Sequence, residues 1–374
     1  MIPISVPFID QKEIDAVAEV LKTGMLVQGK NVLAFESDMT NWLSPRHKAV
    51  AVSNGTAALH MALLAFNVGP GDFVAVPTYS WPATANAVEL CGAQPIFIDI
   101  ETQTWGMDPE KLELALSQAK QKKQSVKAVL IVHAFGCPAQ MTPLLSICRD
   151  YNVALIEDAA CAIGSTWHGQ NVGTLGAMGC FSFHPRKVVT TGEGGLISTA
   201  SAEMDRTLRA LRNHGQDPTS THGPDFISAG FNYRMTDFQA ALGRVQLGKL
   251  PQMLEKRKRL AKIYIDHLSK NTDVGFQTPM EQTETNWQTF VVTLPPKIKR
   301  QDVIQKLGVH GITAMMGTWH IPLIRYFQTK YGYQSGQFPI TDQIFVQSMS
   351  LPLHHGMSEE DVLMIAKAVQ TSLS

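Results

Sequence analysis

The chain has 374 residues and balances 32 Lys and Arg against 32 Asp and Glu, so no net field draws it toward nucleic acid or an anionic membrane. That length exceeds one small core and predicts a large domain plus a smaller one. Five cysteines (Cys91, Cys137, Cys148, Cys161, Cys180) without a C-x-x-C pair argue against a disulfide framework or a zinc knuckle and fit a reducing cytoplasm.

In chain order, the start Met1-Ile2-Pro3-Ile4-Ser5 lacks a basic segment followed by an apolar core. No apolar run approaches the roughly 20 residues of a membrane helix, so a soluble, unexported, cytoplasmic protein is expected. Asp10 followed by Glu13 predicts a capped helix start, with Ile14, Val17, Ala18 and Leu21 at helical spacing and Gly24 at its end. From there to about residue 200, helical patterns alternate with short apolar runs: Ala49 to Val52, Phe73 to Val76, Pro95 to Ile98, Ala128 to Val132, Val153 to Ile156 and Cys180 to Phe183. Continuous rather than alternating runs predict strands buried on both faces, hence an α/β fold with a mainly parallel sheet. In such sheets ligands gather beyond the carboxyl ends of the strands.

Pro251 is expected to open a basic amphipathic helix in which Met253, Leu260, Tyr264 and Leu268 share one side while Lys256, Lys258 and Arg259 can face water, so that the run Lys256-Arg257-Lys258-Arg259 reads as a solvated helix face rather than a nucleic-acid patch. The predicted division is a large α/β domain over residues 1–250 and a small C-terminal α+β domain over residues 251–374. The small domain should hold a strand from Thr289 to Leu294, a helix with Val303, Ile304 and Leu307, and a last helix capped by Ser358 with Asp361. His354-His355 reads as loop, because adjacent histidines point apart and no third ligand has suitable spacing.

The polar residues that need explaining follow the strands. Ser53-Asn54-Gly55-Thr56-Ala57-Ala58-Leu59 is a small-residue turn feeding a helix, whose free N–H groups suit a phosphate; it has neither Walker nor Rossmann spacing. Pro77-Thr78-Tyr79-Ser80-Trp81-Pro82-Ala83-Thr84 puts Trp81 where a flat ring could be stacked, although a core tryptophan reads equally well. Asp158 ends its strand and could pair with a protonated pyridine nitrogen, or could simply cap a helix. Ser182-Phe183-His184-Pro185-Arg186-Lys187 leaves a strand and leads to Thr190-Thr191-Gly192-Glu193-Gly194-Gly195. A desolvated lysine there favours the neutral amine that condenses with an aldehyde, and His184 could tune it, touch substrate or merely pack.

Taken together, these segments resemble the DegT/DnrJ/EryC1/StrS family of pyridoxal-phosphate (PLP) dependent sugar aminotransferases, over nearly the whole chain. The resemblance also rests on Thr23-Gly24-Met25-Leu26-Val27-Gln28-Gly29, Glu157-Asp158-Ala159-Ala160, Leu211-Arg212-Asn213-His214-Gly215, Asn232-Tyr233-Arg234-Met235 and Leu351-Pro352-Leu353. It implies the fold-type-I PLP-dependent transferase architecture of aspartate aminotransferase. It implies Lys187 as Schiff-base lysine and proton shuttle, Asp158 as partner of the pyridine nitrogen, and Trp81 as stacking residue. Gly55, Thr56 and Ser182 would hold the phosphate, with Ala57 in the same cofactor-binding turn. Asn232 would reach the neighbouring subunit's phosphate in a homodimer with composite sites. Cys161 stands where the family often has glutamine or histidine near the ring hydroxyl. Asn286-Trp287-Gln288 replaces a frequent His-x-aromatic-His pattern, which points to a distinctive substrate pocket.

By the same resemblance the reaction is ping-pong: L-glutamate gives its amino group to the cofactor, which passes it to a keto-sugar on a nucleoside diphosphate. Gln28, the helix after Trp81 and the partner subunit would shape that pocket. The dehydratase branch of the family has histidine in place of the lysine, so Lys187 speaks against it. A cyclitol-ketone aminotransferase and a non-catalytic regulator binding PLP or a sugar nucleotide remain open.

Overall fold

The computed structural model describes residues 1–373. Its centre is a seven-stranded sheet in the order Lys48–Val52, Gly195–Thr199, Met178–Ser182, Ala154–Asp158, Ser125–Val132, Asp72–Pro77, Gln94–Ile98. Every pairing is parallel except those of Gly195–Thr199, which runs antiparallel to both neighbours.

Alternate residues of these strands feed two separate apolar cores. Ala49, Ala51, Ala75, Val129, Ile131, Leu155 and Phe181 enter one, and Val50, Val52, Val74, Val76, Leu130, Ile156 and Cys180 enter the other. Both faces are therefore dry, which is why the strands read as unbroken apolar runs. The helix Gly55–Ala65 has buried residues on all its sides, as the small apolar sequence from Ala57 to Ala65 allows.

The helix Gln11–Thr23 starts as its sequence predicts. The Asp10 N–H donates to Glu13 at 2.9 Å, and Gly24 ends the helix in the left-handed region at φ 71°. At the other end of the chain, Ser358 and Asp361 exchange hydrogen bonds between side chain and backbone and cap the last helix, Glu359–Leu373.

Pro251 does not open a helix. It lies inside one continuous helix, Asp237–Asn271, with its ring exposed. Proline suits a first turn, which is what the sequence reading used. Here Leu247, Leu250 and Met253 bury themselves in the first core and hold the helix through the missing N–H. The same helix then delivers Leu260, Tyr264 and Leu268 to a third core. That core covers a four-stranded antiparallel sheet ordered Gly275–Phe276, Phe290–Thr293, Ser348–Leu351, Met315–Met316.

Two bridges tie segments distant in sequence, the first within the third core. Ile2 pairs with Ile312, and Trp319–His320 pairs with Tyr79–Ser80. Asp99 on the large sheet accepts the N–H groups of Ile340 and Thr341 at 3.1 and 3.0 Å, which pins the helix Pro339–Gln347 there. Among the described residues no helix is long and apolar enough to cross a membrane, and no three His, Cys, Asp or Glu gather as metal ligands.

Candidate active site

Strand register assembles one edge of the large sheet. Val52 lies opposite Gly195, Gly195 opposite Ser182, and Asp158 opposite Cys180. Because Gly195 opens an antiparallel strand, its N-terminal end meets the carboxyl ends of two others. A Cβ on Gly195 would lie 2.4 Å from the Asn54 carbonyl oxygen, so only glycine lets the Asn54 turn cross there.

At that turn Asn54 Oδ1 accepts the Ala57 N–H at 2.8 Å and caps the helix Gly55–Ala65. The Ala57 N–H is thereby used, while those of Gly55 and Thr56 keep no protein partner among the described residues. Thr56 is exposed, and a Cβ on Gly55 would stand 2.8 Å from the Cβ of Ser182. Gly55, Thr56 and Ser182 thus surround a cradle at a helix N-terminus, which suits a phosphate.

Asp158 is buried at the end of its strand. Burial raises its carboxyl above the ordinary aspartate range, against the opposing pull of the Thr84 hydroxyl, the Ala160 N–H and the positive Lys187. Thr84 donates to Oδ2 at 2.8 Å and the Ala160 N–H donates to Oδ1 at 3.2 Å. Ser80 in turn bonds Thr84 at 2.9 Å. Thr84 thereby orients Asp158, a contact the sequence does not announce; its place one turn after Trp81 was the available signal. Trp81 itself is 61% exposed at the strand end, and its carbonyl accepts the Thr84 N–H.

Next to Asp158, Glu157 points the other way. It accepts the N–H groups of Gly173, Leu175 and Gly176 at 2.6, 2.8 and 2.7 Å, and His133 Nε2 lies 3.0 Å away. Ala139 donates to His133 Nδ1, so the imidazole proton sits on Nε2 and faces Glu157. Glu157 fixes the turn before the strand Met178–Ser182; Asp158 is left for the site.

Lys187 follows that strand in a turn closed by its own N–H to the His184 carbonyl at 2.8 Å. Its amine is half-buried and donates to Cys161 Sγ at 2.9 Å. His184 Nδ1 accepts the Arg186 N–H at 3.2 Å, and burial lowers the imidazole's pKa. The loop then turns at Gly192, φ 80°, where a side chain would be strained.

Asn286 and Gln288 do not open a pocket: their side chains are buried and spent on backbone groups of these loops. Nor is the run from Lys256 to Arg259 wholly solvated. Arg257 is buried and donates to the carbonyls of Trp287, Gln288 and Leu353 at 2.9, 3.2 and 3.0 Å. The helix exposes Lys258 and Arg259, while Lys256 is part-buried and donates to the His355 carbonyl and Arg257 turns inward.

Gln28 and Asn232 stand apart. Gln28 is half-buried, with its segment tied by the Asp237 N–H to the Leu26 carbonyl; Asn232 is exposed, bridged to Asn213. Among the described residues no hydrogen bond joins either to Lys187, Asp158 or Ser182.

The sequence profile described as the DegT/DnrJ/EryC1/StrS aminotransferase family matches residues 7–370. The chain belongs to that family. Its relatives include GDP-perosamine synthase of Caulobacter vibrioides, 33% identical and covering 100% of this chain and 98% of that protein. Another is the UDP-N-acetyl-3-dehydro-alpha-D-glucosamine 3-aminotransferase of Acidithiobacillus ferrooxidans, 31% identical over 96% of this chain and 92% of that one. The PLP form of Spr1654 from Streptococcus pneumoniae superimposes with a TM-score of 0.91 at 27% identity, covering 100% of this chain and 98% of that one. This family member is a PLP-dependent sugar aminotransferase of the expected fold. The cofactor fits its residues: the Gly55 cradle has room only while no Cβ fills it, and a buried carboxylate and a half-buried amine stand beside it.

Proposed function

We propose that the chain moves an amino group from an amino acid, L-glutamate in our reading, to a keto-sugar carried on a nucleoside diphosphate. Lys187 and Asp158 are the catalytic residues. The observation that carries this reading is the approach of the Lys187 amine to the loop that leaves Asp158, with the Gly55 cradle on the same sheet edge.

In this reading Gly55, Thr56 and Ser182 hold the cofactor phosphate, with Ala57 shaping the turn, and Asp158 faces the ring nitrogen, oriented by Thr84 and Ala160. Cys161 and Trp81 would help to hold the ring. When bound, PLP supplies an electron sink for the carbon whose proton is removed. Lys187 Nζ takes a proton from the α-carbon of the donor and later delivers one to the sugar carbon that receives nitrogen. His184 and Gln28 contribute to the substrate pocket. Asn232 sits on the surface of the protomer, which suits a contact with a second copy in a homodimer. The two domains are residues 1–250 and 251–374, and the enzyme works in the cytoplasm. The relatives that bear nucleotide-sugar names support the acceptor class.

The test is an absorption spectrum of the purified protein with PLP, before and after L-glutamate, with Lys187→Ala as control. The expected result is a long-wavelength band that glutamate converts to a shorter-wavelength one and that Lys187→Ala never forms. Absence of the first band in the natural sequence sinks the assignment of Lys187. A band that forms but ignores glutamate sinks the choice of donor. Keto-sugar nucleotides and cyclitol ketones are then compared as acceptors of the stored amino group.

A further inference from the structure

One short segment of the second lobe grips both loops that meet at the reactive amine. Gln288 is 6% exposed. Its amide oxygen accepts the Val188 N–H at 2.8 Å and its amide nitrogen donates to the Arg186 carbonyl. A single side chain thus bonds the backbone on either side of Lys187. Two residues earlier, Asn286 donates to the carbonyls of Cys161 and Ile163, both at 2.9 Å, so it holds the loop that carries the lysine's sulfur contact. The two residues are tied to each other as well, because Asn286 Oδ1 accepts the Gln288 backbone N–H at 2.8 Å. Ser165 Oγ accepts the Asn286 N–H at 3.0 Å, and Arg257 holds the Trp287 and Gln288 carbonyls from behind.

Apolar side chains in this space would leave the Val188 N–H and the Arg186, Cys161 and Ile163 carbonyls without these partners, so the amides first satisfy buried backbone. What amides add is direction, since a fully satisfied polar network specifies one arrangement. Direction matters here for a mechanical reason. A lysine amine sits at the end of a flexible chain, so its place is defined only as well as the backbone from which it hangs. A misplacement of about 1 Å at a reacting group costs on the order of a hundredfold in rate.

We infer that Gln288 and Asn286 are positioning residues: paired amides from the second lobe that fix the Lys187 turn relative to the Cys161 loop. The inference rests on Lys187 being the reactive amine of the proposed function. It also accounts for the substitution of Asn286-Trp287-Gln288 for a histidine pattern, with the side chains turned onto the catalytic backbone rather than into a substrate pocket.

The experiment uses the full chain with Gln288→Leu, and Gln288→Glu as a variant of nearly equal size that keeps the acceptor but loses the donor. Amide exchange is followed in the peptide spanning residues 186–190 of the cofactor-free protein. The rate at which borohydride fixes PLP to Lys187 and the kcat and KM for the amino donor are measured alongside it. Losing a hydrogen bond worth about 1 kcal/mol should change each rate roughly fivefold to tenfold. For Gln288→Leu we expect faster exchange, slower fixation and a lower kcat with KM changed less than about twofold. Gln288→Glu should fall between that variant and the natural protein. If exchange rises while fixation and kcat stay natural, Gln288 only holds the fold and the inference is overturned. It is equally overturned if Gln288→Leu, correctly folded, matches the natural protein in all three readouts. If PLP is never fixed to Lys187 in the natural protein, the proposed function fails first, and that outcome is distinct from both.

Discussion

Lys187 Nζ lies 2.9 Å from Cys161 Sγ, an amine donating to a sulfur across 26 residues of sequence. Cys161 is the one cysteine of the five that is not buried. Burial pushes the thiols of Cys91 and Cys148 up to about 12 and raises those of Cys137 and Cys180 as well. At pH 8 these four should be inert, because the thiolate is the reactive form. Iodoacetamide should therefore modify one thiol, identified as Cys161 by peptide mass, and bound PLP should protect it. Preferential labelling of any other cysteine would contradict the packing described.

Asp158 should make the cofactor-free protein sensitive to pH. Its carboxyl is raised on folding, so the folded state favours the protonated form. The stability contributed by that form is present below the ordinary aspartate range and is lost as pH rises through the raised value. Asp158→Asn keeps a neutral group at every pH. Thermal melts from pH 4 to pH 8 should show the natural protein losing ground to Asp158→Asn as pH rises above the ordinary aspartate range, while turnover of the variant with PLP falls on the order of a hundredfold to a thousandfold. Thr84→Val, which removes only the hydroxyl at 2.8 Å, should cost about 1 kcal/mol and leave the fold intact.

Gly55→Ala tests the cradle. The added methyl would stand 2.8 Å from Ser182 Cβ, and overpacking of this kind costs about 1–3 kcal/mol. We expect PLP to bind at least about tenfold more weakly, measured by fluorescence titration. Gly248→Ala is the control: it lies in a helix with nothing within 4 Å of the new methyl, and cofactor affinity there should not change.

Arg257→Met should destabilise both lobes together. Burial lowers the guanidinium to about 10, and among the described residues Arg257 has no carboxylate partner; its guanidinium satisfies three carbonyls. Orphaning them costs about 2–4 kcal/mol, read as a fall of several degrees in Tm. An unchanged Tm would mean that those carbonyls find other donors.

Much of the fold was legible because both faces of the central sheet are dry. Ala128 to Val132 and Cys180 to Phe183 could be read as strands without any alternation to guide the eye. The antiparallel strand Gly195–Thr199 escaped notice because its residues Gly195, Ser198 and Thr199 dilute the apolar pattern, yet it supplies the glycine under the Asn54 turn. Asp158 and Lys187 were singled out by position at strand ends and by resemblance, and the structure brings the loop after Asp158 to the Lys187 amine. Thr84, Asn286 and Gln288 were not given their roles. Each acts through a hydrogen bond to a group far away in sequence, and an isolated polar letter carries no sign of its partner. Pro251 misled for a related reason, since only tertiary burial on both sides keeps a helix running through it.

The edge strand Lys48–Val52 has one partner in the central sheet, Gly195–Thr199. During synthesis the earlier strand must therefore wait for nearly 150 more residues before its ladder can form, which at about 5–20 residues per second is on the order of ten seconds. Through that interval Ala49, Val50, Ala51 and Val52 expose an apolar, unpaired backbone. Contacts this distant also slow the search for the native topology. The same strand that ends at the Asn54 turn thus leaves the nascent chain with an open apolar edge until residue 199 has emerged.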